Sequence, residues 1–161
     1  TPNGKQCYWS RGNGWVVAAL VKVLEETPAD DPYRPFYEAD LKAMLEAAAK
    51  CQRPDGFWNV SLADPDDFGG KELTGTALFV YGMAYGVRTG LLDSKKFMPV
   101  LAKGWNAMVN DAVHPNGYLG YVQGTGKEPK DGQPVAYDSK PDFDDYGTGC
   151  FLLAGSEVYK L

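Results

Sequence analysis

RPDGFW, residues 53–58, returns as HPNGYL, residues 114–119, and the spacing of 61 between Pro54 and Pro115 is also the spacing between Gly14 and Gly75. Each copy is a Pro-(Asp/Asn)-Gly turn in which glycine supplies a positive φ, and the aromatic stretch after it is expected to form a short strand. A repeat of about 60 residues holding one inner and one outer helix is the unit of a helical-hairpin array. The turns mark where each unit ends.

Working outward from the turns, the segments between them alternate in character. Residues 14–25, GWVVAALVKVLE, are apolar on nearly every side, which predicts an inner helix surrounded by protein. Residues 35–52 instead set Tyr37, Leu41, Met44, Leu45 and Ala48 on one stripe, with Glu38, Lys42, Glu46 and Lys50 on another. That is an outer helix with a wet face. The pair repeats: TGTALFVYGMAYGV (74–87) is apolar all round, and residues 95–111 carry Phe97, Leu101, Trp105 and Met108 as their stripe. A third inner-type helix, GTGCFLLAGSEVYKL (147–161), closes the chain, for two and a half units in all.

Loop lengths indicate which end of the array is used. Inner-to-outer connections, 26–34 and 88–94, are short, whereas 53–73 and 112–145 are long, and loops of that length usually carry function. The long loops gather at the N-terminal ends of the inner helices, together with Trp9, Arg11 and Glu72. Unpaired N–H groups and positive helix ends favour an anion there. In WSRGNGW, residues 9–15, an arginine suited to a carboxylate stands between tryptophans whose flat faces suit a sugar ring. The stretch therefore suggests a site for an anionic carbohydrate. The plainer alternative makes Trp15 a core residue and Arg11 an ordinary surface charge.

Composition narrows the partners. The chain has 161 residues, 44% hydrophobic and 23% charged, and a length that suggests a single domain. A net charge of −5 with no Lys/Arg cluster argues against nucleic acid or an anionic membrane as the main partner. Its apolar runs are shorter than the roughly 18 residues of a membrane span. Cys7, Cys51 and Cys150, odd in number and far apart, suggest buried free thiols rather than a disulfide framework or zinc site.

Four strings, YWSRGNGWVVAAL, CQRPDGFW, ELTGTALFVYGMAYGVRTGLL and DDYGTGCFLLAGSEVYKL, in this order closely resemble the C-terminal half of the unsaturated rhamnogalacturonyl hydrolases, glycoside hydrolase family 105. The family 88 unsaturated glucuronyl hydrolases resemble it more distantly. The resemblance runs from Tyr8 to Leu161, and W-x-R-G-N-G-W is its most specific part. It implies an (α/α)6 barrel, six inner helices ringed by six outer ones, of which residues 1–161 would be the C-terminal portion. It also implies hydration of the C4=C5 bond in a Δ4,5-unsaturated galacturonyl residue of rhamnogalacturonan, without metal or organic cofactor. Trp9, Arg11 and Trp15 match the family's pocket residues by position, as substrate-binding groups. The family's acid–base aspartate is expected upstream of that string and of Thr1, so no catalytic acid is named here, and the chain reads as a C-terminal fragment. An open barrel seam is expected to make it self-associate or hold a missing N-terminal half. The rival reading is a non-catalytic helical module that binds acidic oligosaccharide or scaffolds a partner.

Other constellations carry less. Asp64, Asp66 and Asp67, and Asp138, Asp142, Asp144 and Asp145, could do acid–base work in pairs but suit turns and caps, with Asp144 or Asp145 placed to cap the last helix. Glu72 stands near a helix start, where Thr74 competes for the cap. The lone His114 lacks the companions of a metal site and suits a turn. The glycines at 12–14 and 124–126 match no phosphate loop, and no G-x-S-x-G elbow is present.

Overall fold

Helical periodicity in the sequence becomes five α-helices in the computed structural model, which describes residues 1–140 and 145–161. They are α1 (Ser10–Glu26), α2 (Arg34–Ala49), α3 (Leu73–Arg88), α4 (Ser94–Ala107) and α5 (Asp145–Val158), with a π-helical turn, Met108–Ala112, extending α4. The chain makes two helical hairpins, α1–α2 and α3–α4, and a fifth helix. α3 is the centre, packed against α1 on one side and α5 on the other, with α2 and α4 behind it.

The all-round apolar pattern of α3 is explained by that position, because every residue from Leu73 to Gly86 is buried. α2 and α4 show the expected single stripes, burying Leu41, Leu45 and Ala48 in α2, and Phe97 and Leu101 in α4 with Met108 in its π-helical extension. Small residues bring the inner helices together. A Cβ at Gly75 would lie 2.7 Å from Ser10 Cβ, one at Gly14 2.9 Å from Leu78 Cβ, and one at Gly82 2.3 Å from a Val17 methyl. These contacts run in the same order along both helices, so α1 and α3 are parallel and their N-termini share one end.

Both repeated turns take the expected backbone, with Gly56 at φ 96° and Gly117 at φ 83°. Equivalent side chains close them: Asp55 Oδ1 accepts from Phe57 N at 3.2 Å, and Asn116 Oδ1 from Tyr118 N at 3.1 Å. The aromatic stretches that follow differ from expectation. Among the described residues they form isolated bridges, Trp58 with Glu72 and Val113 with Leu119, instead of strands. The reason is visible at Trp58, which is spent on the core: its indole N–H donates to Ala48 O at 2.7 Å and its ring meets Phe79 at 5.4 Å.

α1 also departs from expectation. It buries Val17, Ala18, Val21 and Leu24 against α2 and α3, but Trp15, Val16 and Val23 on its other side are 40–49% exposed. Leu152 of α5 is 62% exposed. Only α3 has inner-helix neighbours on both flanks among the described residues, so only α3 is covered all round.

Candidate functional site

The N-terminal ends of α1 and α3 are tied by loops that cross them. Ser10 N donates to Val60 O at 2.8 Å and Leu73 N to Tyr121 O at 2.9 Å. Glu72, fully buried, is the cap of α3: it accepts from Thr74 N at 2.9 Å and Gly75 N at 2.6 Å. Thr74, the competitor for that role, instead donates its hydroxyl to Glu72 at 2.5 Å. Ser10 Oγ reaches the same carboxylate at 3.3 Å and so joins the two helix ends. The first N–H groups of α3 are thus consumed by protein, whereas α1, opened by Trp9, has no side-chain cap.

The cation at this mouth is Arg11. It is 4% exposed, whereas Trp15, one helical turn further on, is 48% exposed, the reverse of the plainer sequence reading. Arg11 Nη1 donates to Gln123 O at 2.7 Å and to Tyr146 Oη at 3.1 Å, and Nη2 donates to Gly124 O at 2.9 Å. Its guanidinium carbon lies 4.8 Å from the Trp9 ring centroid and 5.5 Å from that of Tyr146. Among the described residues it bonds to neutral acceptors and to no carboxylate. Taking an ion out of water costs on the order of several kcal/mol even after relaxation. An anion arriving between these rings would offset part of that cost.

Trp9, Arg11 and Trp15 are brought together on the first turns of α1, with Trp9 preceding Ser10 as the residue that opens the helix. Gln123 and Tyr146 were not anticipated. Both sit more than 100 residues from Arg11, and a Gln within GYLGYVQGTG carries no local signal of what it will meet. Beside Val122 lies a cavity of about 710 Å³, lined also by His114, Tyr118, Asp138, Lys140 and Thr148 among others. His114 does take the turn role, its N–H bonding Tyr118 O at 2.8 Å. It also stacks on Tyr137, with ring centroids 3.6 Å apart and planes 11° apart.

The loop acids mostly hold structure. Asp64 is buried, and the Lys5 ammonium at 3.0 Å keeps its carboxyl below the ordinary range although burial pushes the other way. Thr1 folds back on the same lysine, its hydroxyl accepting from Lys5 N at 3.0 Å. The first residues are thereby pinned beside Asp64. Asp66 reaches Lys5 at 3.7 Å, and Asp67 N closes a turn on Asp64 O at 3.1 Å. Asp138 is exposed at the cavity. Asp142 and Asp144 lie outside the described residues, as does the side chain of Asp145, and with them the expected cap of α5. All three cysteines are free thiols; Cys150 is buried and Cys7 and Cys51 partly so. Burial and the nearby Glu72 carboxylate push the Cys150 thiol up to about 12.

The model of Glycosyl Hydrolase Family 88 matches residues 1–161. That family took second place behind family 105 in the sequence resemblance. An unsaturated 3S-rhamnoglycuronyl hydrolase of Formosa agariphila is 41% identical over 160 residues, covering 99% of this chain and 41% of that protein. One of the same description from an Alteromonas species is 39% identical, covering 97% of this chain and 36% of that protein. Among solved structures, a glycosyl hydrolase family 88 protein from Bacteroides vulgatus aligns with TM-score 0.89 and 42% identity, over 99% of this chain and 45% of that one. A possible family 105 member from Salmonella enterica aligns with TM-score 0.78 and 29% identity, over 96% of this chain and 40% of that one. The chain therefore spans about two fifths of the curated relatives' length. Its fold is that of the (α/α)6 helical toroids, of which it supplies two hairpins and a fifth helix.

Proposed function

We propose, since the chain belongs to glycosyl hydrolase family 88, that it works as a glycoside hydrolase on Δ4,5-unsaturated uronyl residues at the end of rhamnose-containing acidic oligosaccharides. One observation carries the reading: Arg11 is buried, wedged between Trp9 and Tyr146, and bonded among the described residues only to neutral acceptors. A uronate carboxylate supplies a negative charge that no described residue bonds to Arg11, and the exposed face of Trp15, one turn along α1, offers a flat wall for a pyranose ring. In this reaction water adds across the C4=C5 enol ether, a proton to C4 and hydroxyl to C5. The hemiketal so formed opens and releases the next sugar. Trp9, Arg11 and Trp15 bind and orient the ring. The proton-transferring acid is assigned to none of these 161 residues; the sequence resemblance puts it upstream of Thr1.

The uronyl is the galacturonyl of rhamnogalacturonan on the sequence resemblance, while the names of the curated relatives specify a 3S-rhamnoglycuronyl substrate for those proteins. Both unsaturated disaccharides belong in the assay. In the intact enzyme, Arg11→Ala lowers kcat/KM at least tenfold, because a hydrogen bond to a charged group contributes about 1.5–3 kcal/mol. Unchanged kinetics refute the assignment. Calorimetry with the same disaccharides distinguishes a module that binds without turning over, which gives heat and no product. The exposed Val16 and Val23, one stripe of α1 beside Trp15, support a further proposal, that this stripe is covered by a second copy or by the remaining pairs of a six-pair barrel.

A further inference from the structure

At this mouth the side chain of Gln123 bonds in three directions at once. It is fully buried. Its Oε1 accepts the indole N–H of Trp9 at 2.9 Å, and its Nε2 donates to Pro129 O at 2.9 Å and Asp131 O at 2.7 Å. The two carbonyls require the amide nitrogen and the indole requires the amide oxygen, so only one orientation of the amide satisfies all three. Its main-chain carbonyl meanwhile accepts from Arg11 Nη1 at 2.7 Å and from the Tyr146 hydroxyl. One residue therefore holds both the ring of Trp9 and the charge of Arg11.

The loop beyond it is folded to present those carbonyls. Asp131 Oδ2 accepts from Lys127 N at 2.9 Å and Glu128 N at 3.2 Å, closing the turn. Gly132, at φ 66°, passes so near Gly124 that a Cβ there would lie 2.5 Å from Gly124 N. Gly124 O is the second carbonyl on Arg11. Residues 124–132 thus return on themselves around the Gln123 amide.

We infer that Gln123 is the positioning residue of the uronide site, acting on substrate through Trp9 and Arg11 and not by touching it. The inference rests on the reading of that mouth given above. It makes a distinctive demand on the conservative variant Gln123→Glu. A protonated carboxyl keeps an acceptor for Trp9 and one donor for the loop, whereas a carboxylate faces Pro129 O and Asp131 O with no donor at all. Burial opposes ionisation of that carboxyl and the Arg11 guanidinium, bonded to the main-chain carbonyl of the same residue at 2.7 Å, favours it, so the loss of contact occurs as pH rises past the midpoint this balance sets.

The experiment uses the intact enzyme as wild type, Gln123→Glu and Gln123→Leu. It records the Trp9 indole N–H resonance, assigned with Trp9→Phe, and KM and kcat for the unsaturated disaccharides from pH 5 to pH 8. The expected result is a Gln123→Glu protein nearest to wild type at the lowest pH, which then shifts its indole resonance and raises KM about tenfold by pH 8, with kcat moving less. Gln123→Leu shows both changes at every pH, and the acid form of Gln123→Glu is its control for folding. A Trp9 resonance unchanged in both variants overturns the inference. So does a shifted resonance with KM within twofold of wild type. If wild type turns over neither disaccharide, the reading of function falls by itself, and the indole resonance alone decides the role of Gln123.

Discussion

Replacing Glu72 by alanine tests the joint on which the mouth is built. The carboxylate accepts from two main-chain N–H groups, Thr74 at 2.9 Å and Gly75 at 2.6 Å, and from two hydroxyls, Thr74 at 2.5 Å and Ser10 at 3.3 Å, in a site with no solvent exposure. Loss of a helix cap costs about 0.5–2 kcal/mol by itself. Here two buried N–H donors are also left without acceptors, at about 1–3 kcal/mol each, partly the same energy counted from the other side. A total of about 3–4 kcal/mol follows, a large share of the roughly 5–15 kcal/mol that keeps a domain folded. With a urea m-value of about 2 kcal/mol/M, the midpoint falls by about 1.5–2 M. Glu72→Gln keeps one acceptor and places an NH2 against the other donor, so its midpoint falls between wild type and alanine. Urea unfolding of the intact protein, followed by far-UV circular dichroism, measures all three. An alanine variant within about 0.5 M of wild type would show that this cap does not hold the end of α3, and the account of the mouth would fail with it.

Gly82→Ala places a methyl 2.3 Å from a Val17 methyl and 3.2 Å from Leu45, so overpacking of about 1–3 kcal/mol outweighs the gain in helix propensity; a lowered melting temperature is expected, and an unchanged or raised one refutes close packing of α1 on α3. Cys150 titrates near 12 in the fold against about 8.5 unfolded, so between these values the unfolded chain sheds a proton that the folded chain keeps. Stability therefore falls as pH rises above about 8.5, by at most about 1.4 kcal/mol per pH unit from this group, and Cys150→Ala flattens that slope in alkaline denaturation curves. A slope identical in wild type and variant contradicts the assignment. On a sizing column with light scattering, the 161-residue chain is expected to self-associate, and Val16→Lys with Val23→Lys to shift it toward monomer; a wild-type monomer with a cooperative melt rules out the exposed α1 stripe as an interface.

Helices, the single stripes of α2 and α4 and the two turns were legible because each depends on neighbours within a turn or two. The stripe of α2 is written at intervals of three and four, and the positive φ of Gly56 and Gly117 follows from Pro-Asx-Gly wherever it occurs. WSRGNGW likewise suggested a site by its residue types. The sequence did not determine the state of those residues. Arg11 is buried because carbonyls 112 and 113 positions away arrive to accept its N–H groups, and Trp15 is open because no described helix packs on that side of α1. A guanidinium is removed from water only where acceptors have been assembled for it, and that assembly is made by the crossing of residues 121–124 over the ends of α1 and α3. Periodicity reports which face of a helix is apolar; which polar atoms meet across the fold is decided by chain crossings that no local pattern encodes.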